Sequence, residues 1–164
     1  MTLKNALNID TMDTATLSKE QIHNACLEEV NSRMDRLKAD LKEAQEAANE
    51  ESKSSMGDKY ETGRAMAHLE TEKYAGQLGT AREMKSVLEG FNPRKIRDQA
   101  GAGSLIRTTQ GIFYLSVSLG QMKIGEETFF AVSPVSPVGQ AMLDKRAGDQ
   151  FELNGRSYTI NKIS

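Results

Sequence analysis

The sequence predicts an α+β protein in which a long helical hairpin precedes a small antiparallel β domain with one short helix. Two observations lead to this fold class. Residues 18–90 have helical periodicity on both sides of one short polar stretch, whereas residues 104–164 consist of β-rich runs separated by turns. Apolar residues that recur every three or four positions indicate helices, and short β-branched or aromatic runs between glycines indicate strands.

The composition is that of a soluble protein of one or two domains, with 164 residues of which 38% are hydrophobic and 27% charged. Five Phe, four Tyr and no Trp would fill one compact core poorly, so a two-helix arm beside a small domain fits better. Residues 18–90 contain 15 acidic and 11 basic residues, and residues 91–164 contain 6 and 9. Neither part is basic enough to bind bare nucleic acid as its main activity.

The cellular location predicted from the sequence is the cytoplasm. Cys26 is the single cysteine, which excludes an internal disulfide. The N-terminus has no apolar signal core, and no run of about 18 apolar residues occurs, so we expect no membrane association.

The first helix has a clear start and a continuous apolar seam. After an N-terminal tail of residues 1–17, Ser18 is the predicted N-cap, with Gln21 as its capping-box partner. Ile22 and Cys26 begin the apolar side. The heptad seam that follows, typical of a coiled coil, consists of Leu27, Val30, Met34, Leu37, Leu41, Ala44 and Ala48.

The polar stretch Ser54–Glu61 contains the small residues and the glycine that allow a chain to reverse direction. It predicts the tip of the hairpin. The second helix is expected from about Lys59 to Leu88, ended by Gly90, with Gly76 and Gly79 each weakening it by ~1 kcal/mol. Its apolar stripe is predicted to be Ala67, Tyr74, Leu78, Ala81 and Leu88.

The second half of the chain reads as a linker, residues 91–103, followed by the β domain, residues 104–164. Ser136 and Pro137 predict the start of a short helix that runs through Leu143. Asn154-Gly155 predicts a two-residue hairpin turn. The predicted strands are Leu105–Thr108, Ile112–Val117, Gln121–Ile124, Thr128–Val132, Gln150–Leu153 and Arg156–Ile163.

Asp58 and Glu61 are the candidate functional residues of the hairpin tip. An Asp-x-x-Glu pattern at a helix start is typical of a capping box, and spacing alone favours that role. Residues three apart also lie ~5–6 Å apart on one helix face. Magnesium is often held by one or two protein carboxylates together with water and phosphate. The pair could therefore complete a metal site inside a partner molecule, although it cannot form one alone.

The other candidate residues carry weaker signals. His23 and His68 stand alone, without a second ligand at metal spacing, so we expect both at solvated helix positions. Cys26 is near the apolar stripe and is predicted to be a core residue.

Two motifs give the chain its resemblance to a known family, the bacterial Gre transcript-cleavage factors GreA and GreB. Gly57–Glu61 resembles the family's Gly-Asp-x-x-Glu tip, and Glu70 stands where the family often has a glutamate. Ser136–Leu143, followed by Gly148-Asp149, resembles its Ser-Pro-x-Gly-x-Ala-Leu and Gly-Asp signature. The similarity covers roughly residues 20–163.

The resemblance implies an antiparallel coiled coil and an FKBP-like β domain. It further implies a protein that binds RNA polymerase and inserts its coiled coil into the secondary channel. We expect the chain to be a monomer. Asp58 and Glu61 would there help to hold a magnesium ion shared with the polymerase, whose own active site cleaves backtracked RNA. On this interpretation the chain is an accessory factor, not an enzyme, and has no cofactor of its own.

The chain departs from the family pattern just after the tip acids. Thr62, Arg64 and Ala65 replace the usual Asn and Glu-Tyr, and Asp144 replaces a glycine. The sequence therefore leaves open a second hypothesis, a channel binder that regulates or inhibits the polymerase without stimulating cleavage.

Two further hypotheses come from other classes of protein. The continuous seam of the first helix also allows an intermolecular dimerisation coiled coil, although the Gly57 tip argues for a hairpin. The aromatic residues of the β domain allow a prolyl isomerase with an aromatic-lined pocket. They are Phe113, Tyr114, Phe129, Phe130, Phe151 and Tyr158.

Overall fold

A computed structural model describes the backbone of residues 16–53 and 57–164, and the side chains of 16–50 and 62–164. The described chain forms two compact units. One comprises the described residues up to Cys26 together with Gly90–Ser164, and the other is Leu27–Glu89. The element order confirms the predicted α+β class, two long helices followed by a six-stranded sheet with one short helix.

Helix α1 spans Lys19–Lys53 and begins at the predicted cap. The backbone N–H of Gln21 donates to the Ser18 hydroxyl at 3.1 Å, and the backbone N–H of Ser18 donates to the Gln21 side-chain oxygen at 2.8 Å. These two reciprocal bonds satisfy backbone donors that a helix end leaves without intrahelical partners. The predicted capping box is confirmed.

Helix α2 spans Gly57–Glu89 and pairs with α1 in an antiparallel hairpin. One cleft is lined by Arg33 of α1 and Ala81 of α2, and a second by Ala44 of α1 and Tyr74 of α2. Moving forward along α1 thus corresponds to moving backward along α2. The residues buried on the two helices within Leu27–Glu89 belong to the predicted seam and stripe: Val30, Met34, Leu37, Ala44, Ala67, Leu78, Ala81 and Leu88.

This pairing bears on the dimerisation hypothesis. The seam that could have joined two chains is buried within one chain, because α2 covers it. Apolar surface removed from water contributes roughly 25 cal/mol per Å², whichever helix provides the cover. The described hairpin therefore accounts for the seam without a second copy.

The sheet has the strand order β3-β4-β2-β1-β6-β5. Its strands are β1 Leu105–Thr108, β2 Gly111–Leu115, β3 Gly120–Ile124, β4 Glu127–Val132, β5 Gln150–Leu153 and β6 Arg156–Ile163. Adjacent strands are antiparallel except β2 and β4, which are parallel, with Tyr114 opposite Ala131. The expectation of an antiparallel sheet is corrected at this one pair. The chain places β3 on the sheet edge and returns through a hairpin, so that β4 lies beside β2.

The aromatic residues of the sheet domain are engaged in packing. Phe113 stacks on Phe130 with ring centroids 5.4 Å apart, and Phe151 stacks on Tyr158 at 4.8 Å. Such pairs contribute beyond the burial of their area. Phe129 and Tyr114 are fully buried. These contacts argue against the open aromatic pocket that a prolyl isomerase would need.

Local turn signals are found where the sequence predicts them. Asn154 and Gly155 have φ values of 51° and 77° and join β5 to β6. Two successive positive φ values match the right-handed twist of the flanking strands. Asp144, which stands in place of the family's glycine, also has a positive φ of 64°. Aspartate tolerates this left-handed conformation better than most residues, so the backbone turn is retained.

Within the described residues, no helix combines the length and the apolar character needed to cross a membrane.

The short helix α3, Pro137–Met142, packs very closely on the chain before it. Ser136 is its N-cap, accepting the Gly139 N–H at 3.1 Å and donating to the Ser133 carbonyl at 2.6 Å. A Cβ at Gly139 would overlap the Ser133 carbonyl oxygen and lie 2.9 Å from the Pro134 Cα. The Ser-Pro-x-Gly pattern is therefore a packing requirement of this turn.

We predict that Gly139→Ala lowers the free energy of unfolding by roughly 1–3 kcal/mol, because backbone atoms must move to admit the methyl group. Urea-induced unfolding followed by circular dichroism measures the change. Gly76→Ala is the matched control, since a Cβ there meets nothing within 4 Å. It should instead raise stability by about 0.5–1 kcal/mol, the usual gain at a helix interior. Equal effects of the two substitutions would contradict the packing explanation.

Candidate functional site

Helix α1 ends at Lys53 and helix α2 begins at Gly57, and residues 54–56 of the predicted tip lie outside the described residues. Asp58 therefore lies in the first turn of α2 and Glu61 just beyond it. The helix begins two residues earlier than the sequence predicts, which makes Asp58 a first-turn residue and not the N-cap by this boundary. The side chains of Asp58 and Glu61 lie outside the described residues, so their roles as cap or metal ligand stay predictions.

The side chains of α2 are described from Thr62 onwards, where the sequence departs from the Gre pattern that it resembles. Thr62, Arg64 and Ala65 are all exposed. Arg64 follows Glu61 by three positions on the same helix, and residues at this spacing are neighbours on the helix surface. A positive charge is therefore placed within one turn of the predicted tip acid.

Glu70 is exposed and lies in an acidic cleft of the hairpin. The cleft has a volume of about 270 Å³, and Asp40 and Glu43 of α1 line it together with Glu70 and Tyr74 of α2. Among the side chains that the structure describes, no group of three or more His, Cys, Asp or Glu is arranged to hold a metal ion. The cleft adds negative charge to the hairpin surface between its two helices.

His23 contradicts the expectation of a solvated position. Its side chain is buried, and its Nδ1 lies 2.7 Å from the Tyr114 hydroxyl on β2. Burial, and secondarily the charge of Lys19, lowers the pKa of His23 below its ordinary value. The start of α1 packs on the sheet here, and that contact buries a face which the coiled-coil pattern leaves polar. His68, by contrast, is exposed as expected.

Cys26 is buried one turn after His23, as predicted for a core residue. Its sulfur lies 4.0 Å from the sulfur of Met122 on β3. Burial raises the pKa of the thiol to about 12, so it remains protonated and unreactive at neutral pH. The sequence contained a signal for this cluster: His23 lies between Ile22 and Cys26, both on the apolar side of α1.

Basic residues form a cluster at the start of α1. Lys19 is 9% exposed, and its Nζ donates to the Lys95 carbonyl at 2.9 Å. Burial, and then the nearby charge of Arg97, lowers the pKa of Lys19 to about 8. No local sequence pattern indicated it, because residues 19 and 95–97 meet only in the folded protein.

Comparison with known proteins gives a likeness to solved structures. No protein-family model matches the sequence, and no curated protein matches it. A solved structure described as "Structure of the transcription factor Gfh1" is 19% identical in sequence, and the match covers 85% of this chain and 93% of that chain. The TM-score of 0.37 is too low to support an argument about this chain.

We predict that acid destabilises this protein partly through His23. Because the folded state holds the pKa of His23 down, the unfolded chain binds a proton more readily. The free energy of unfolding should therefore fall as the pH decreases below about 6.5, the ordinary histidine value, towards the lowered pKa. Urea unfolding between pH 7.5 and 5 in parent and His23→Gln proteins measures the difference.

The control for this prediction is His68→Gln, which removes an exposed histidine from α2. It should leave the pH dependence of the parent unchanged, while His23→Gln flattens it. If the two variants and the parent lose stability in parallel, His23 does not contribute to the acid sensitivity.

Proposed function

We propose that this chain is a transcription elongation factor of the Gre kind, which binds RNA polymerase and presents the turn of its hairpin to the polymerase active centre. One observation carries the proposal. The Gly-Asp-x-x-Glu pattern opens α2, and the residues that join the two long helices immediately precede it. An acidic motif at the turn of a 35-residue and a 33-residue helix is well placed to act in another molecule's site.

The length of the hairpin supports this proposal. Helices of 35 and 33 residues extend roughly 50 Å at 1.5 Å per residue. Asp58 lies at the end of the hairpin where the chain turns, opposite the end at which α1 begins and α2 ends. A narrow pair of helices can enter a channel that a globular domain cannot.

The chemistry of the two carboxylates fits magnesium. Carboxylate oxygen is a preferred ligand of this ion, which commonly binds only one or two protein carboxylates. Asp58 and Glu61 would hold it jointly with the polymerase, where magnesium stabilises negative charge during phosphodiester cleavage. The N-terminal end of α2 favours the ionised form of both acids, because the helix macrodipole is positive there.

We predict that the double variant Asp58→Asn/Glu61→Gln binds RNA polymerase as the parent does but no longer stimulates cleavage of backtracked RNA. The amides keep the size and the side-chain oxygen acceptor of the acids, so any hydrogen bond at the helix start can be kept while both charges are lost. Cleavage of 3′-end-extruded RNA in stalled complexes measures the activity, and co-sedimentation with polymerase measures binding.

The matched control is Glu72→Gln/Glu83→Gln, which removes two exposed charges from the same helix away from its turn. This control variant should stimulate RNA cleavage by the polymerase as strongly as the parent does. Full stimulation by the tip double variant would refute the role of the acids. If the parent and both double variants fail to bind RNA polymerase, the proposed function itself is refuted.

A second function, channel binding without stimulated cleavage, is favoured by Arg64. Arg64 is exposed and lies one turn from Glu61. The Gre pattern has a glutamate at the position of Arg64, so the charge there is reversed. A cation at this position competes with a metal ion for the tip carboxylates. In the same assay, a parent protein that binds without cleaving, and an Arg64→Glu variant that gains cleavage, would identify this function.

A further inference from the structure

A small cleft in the sheet-containing unit has a basic lining. It has a volume of about 220 Å³ and is lined by residues 90–92, Lys95, Arg97 and Gly103. The Phe91 ring lies against Gly103 and forms one wall, since a Cβ on that glycine would lie 3.0 Å from the ring. Two cationic residues therefore line a space large enough for a small polyatomic ion.

Lys19 adds a third positive charge at the edge of this cleft. Its ammonium group donates to the carbonyl of Lys95, which lines the cleft, and Arg97 is close enough to lower its pKa. Lys19 is also the first residue of α1, where the positive end of the helix macrodipole disfavours a cation. A lysine that is 9% exposed at such a position is costly unless a negative charge compensates it.

The neighbouring carboxylates are engaged with other groups of the chain. Glu20 pairs with Arg94 at 3.4 Å, and Asp98 pairs with Arg146 at 3.0 Å. Glu127 accepts the Leu17 N–H at 3.3 Å. Within the described residues, no carboxylate lies within 4.0 Å of the charged groups of Lys19, Lys95 or Arg97. The positive charge of the cleft is thus not neutralised by any described part of the chain.

Asn92 supplies a polar group of fixed orientation. Its side-chain oxygen accepts the backbone N–H of Arg94 at 3.0 Å. That bond uses the amide oxygen, so the NH₂ group is the donor that this cleft-lining residue can offer. Lysine, arginine and amide N–H groups together are the donors that recognise phosphate oxygens.

We propose that this cleft is a binding site for a phosphate group, held by Lys19, Lys95 and Arg97 with Asn92 as an additional donor. The volume admits a phosphate or diphosphate group but is smaller than typical sites that enclose whole drug-sized ligands. The site is separate from the hairpin turn, and the proposal does not depend on the proposed function.

The first experiment is a calorimetric titration of the full-length protein with inorganic phosphate at pH 7, against sodium chloride of equal ionic strength. Binding should weaken at least tenfold in Lys19→Met and in Arg97→Gln. Lys162→Met and Arg156→Gln, which remove exposed cations of β6, should bind like the parent. Equal weakening in all four variants would mean general charge attraction and would overturn the site.

The second experiment follows the charge of Lys19 directly. An anion bound beside it should raise its pKa from about 8, observed by NMR of the lysine side chain in parent and Arg97→Gln proteins. Sulfate is the probe for the pH series, because its charge is constant over this range. Its affinity should fall as the pH rises through 8 in the parent but not in Lys19→Arg, which stays charged.

The groups facing Lys19 are Arg97 from the cleft segment and His23 one turn along α1. His23 is neutral at and above pH 7 because its pKa is lowered, so it does not titrate in this range. An ordinary lysine pKa in the absence of added anion would overturn the proposal, because the charge would then already be compensated.

Separate titrations identify the source of the phosphate group. Tighter binding of pyrophosphate or a nucleoside monophosphate than of inorganic phosphate would indicate the phosphate of a larger molecule, and the reverse order would indicate the free ion. Binding of a polyglutamate peptide in the absence of any phosphate binding would overturn the proposal in favour of an acidic protein partner. Thermal unfolding of each variant verifies that all of them are folded.

Discussion

The apolar seam between α1 and α2 is the contact on which the hairpin depends. Isolated helices in water are marginally stable, and α2 contains Gly76 and Gly79, which weaken it further. It nevertheless remains helical from Gly57 to Glu89, because Leu78, Ala81 and Leu88 are buried. The register of this packing determines where the chain turns. The position of the turn relative to the two tip acids is thus set by packing residues several helical turns away from them.

Features that depend on residues close together in the sequence could be predicted from it. The Ser18 capping box, the Ser136 cap and the Asn154-Gly155 turn each require a specific residue type within a few positions. The parallel pairing of β2 with β4 could not be predicted in the same way. It depends on which strand edge the returning hairpin meets, and strand periodicity contains no information about that choice.

The candidate sites also depend on residues that are distant in the sequence, and they were even less predictable from local patterns. The periodicity of α1 identifies the face that meets α2, but it does not reveal that residues 19–26 also pack on the sheet. The sequence pattern therefore predicts a solvated His23 and gives no indication of Lys19, although both are buried. Each carries a lowered pKa for the same physical reason, since burial disfavours the charged form of a base and the neighbouring cations add to that effect.

The two motifs that resemble those of the Gre factors differ in what they imply. Gly139 and Ser136 are required by the close packing of α3, so their match is explained by folding alone. A folding requirement accounts less completely for Asp58 and Glu61. Capping needs an oxygen acceptor at the helix start, which serine or asparagine supplies equally well, whereas metal binding needs the negative charge. The functional question therefore concerns charge near the hairpin turn, where the exposed Arg64 follows Glu61 by about one turn of helix.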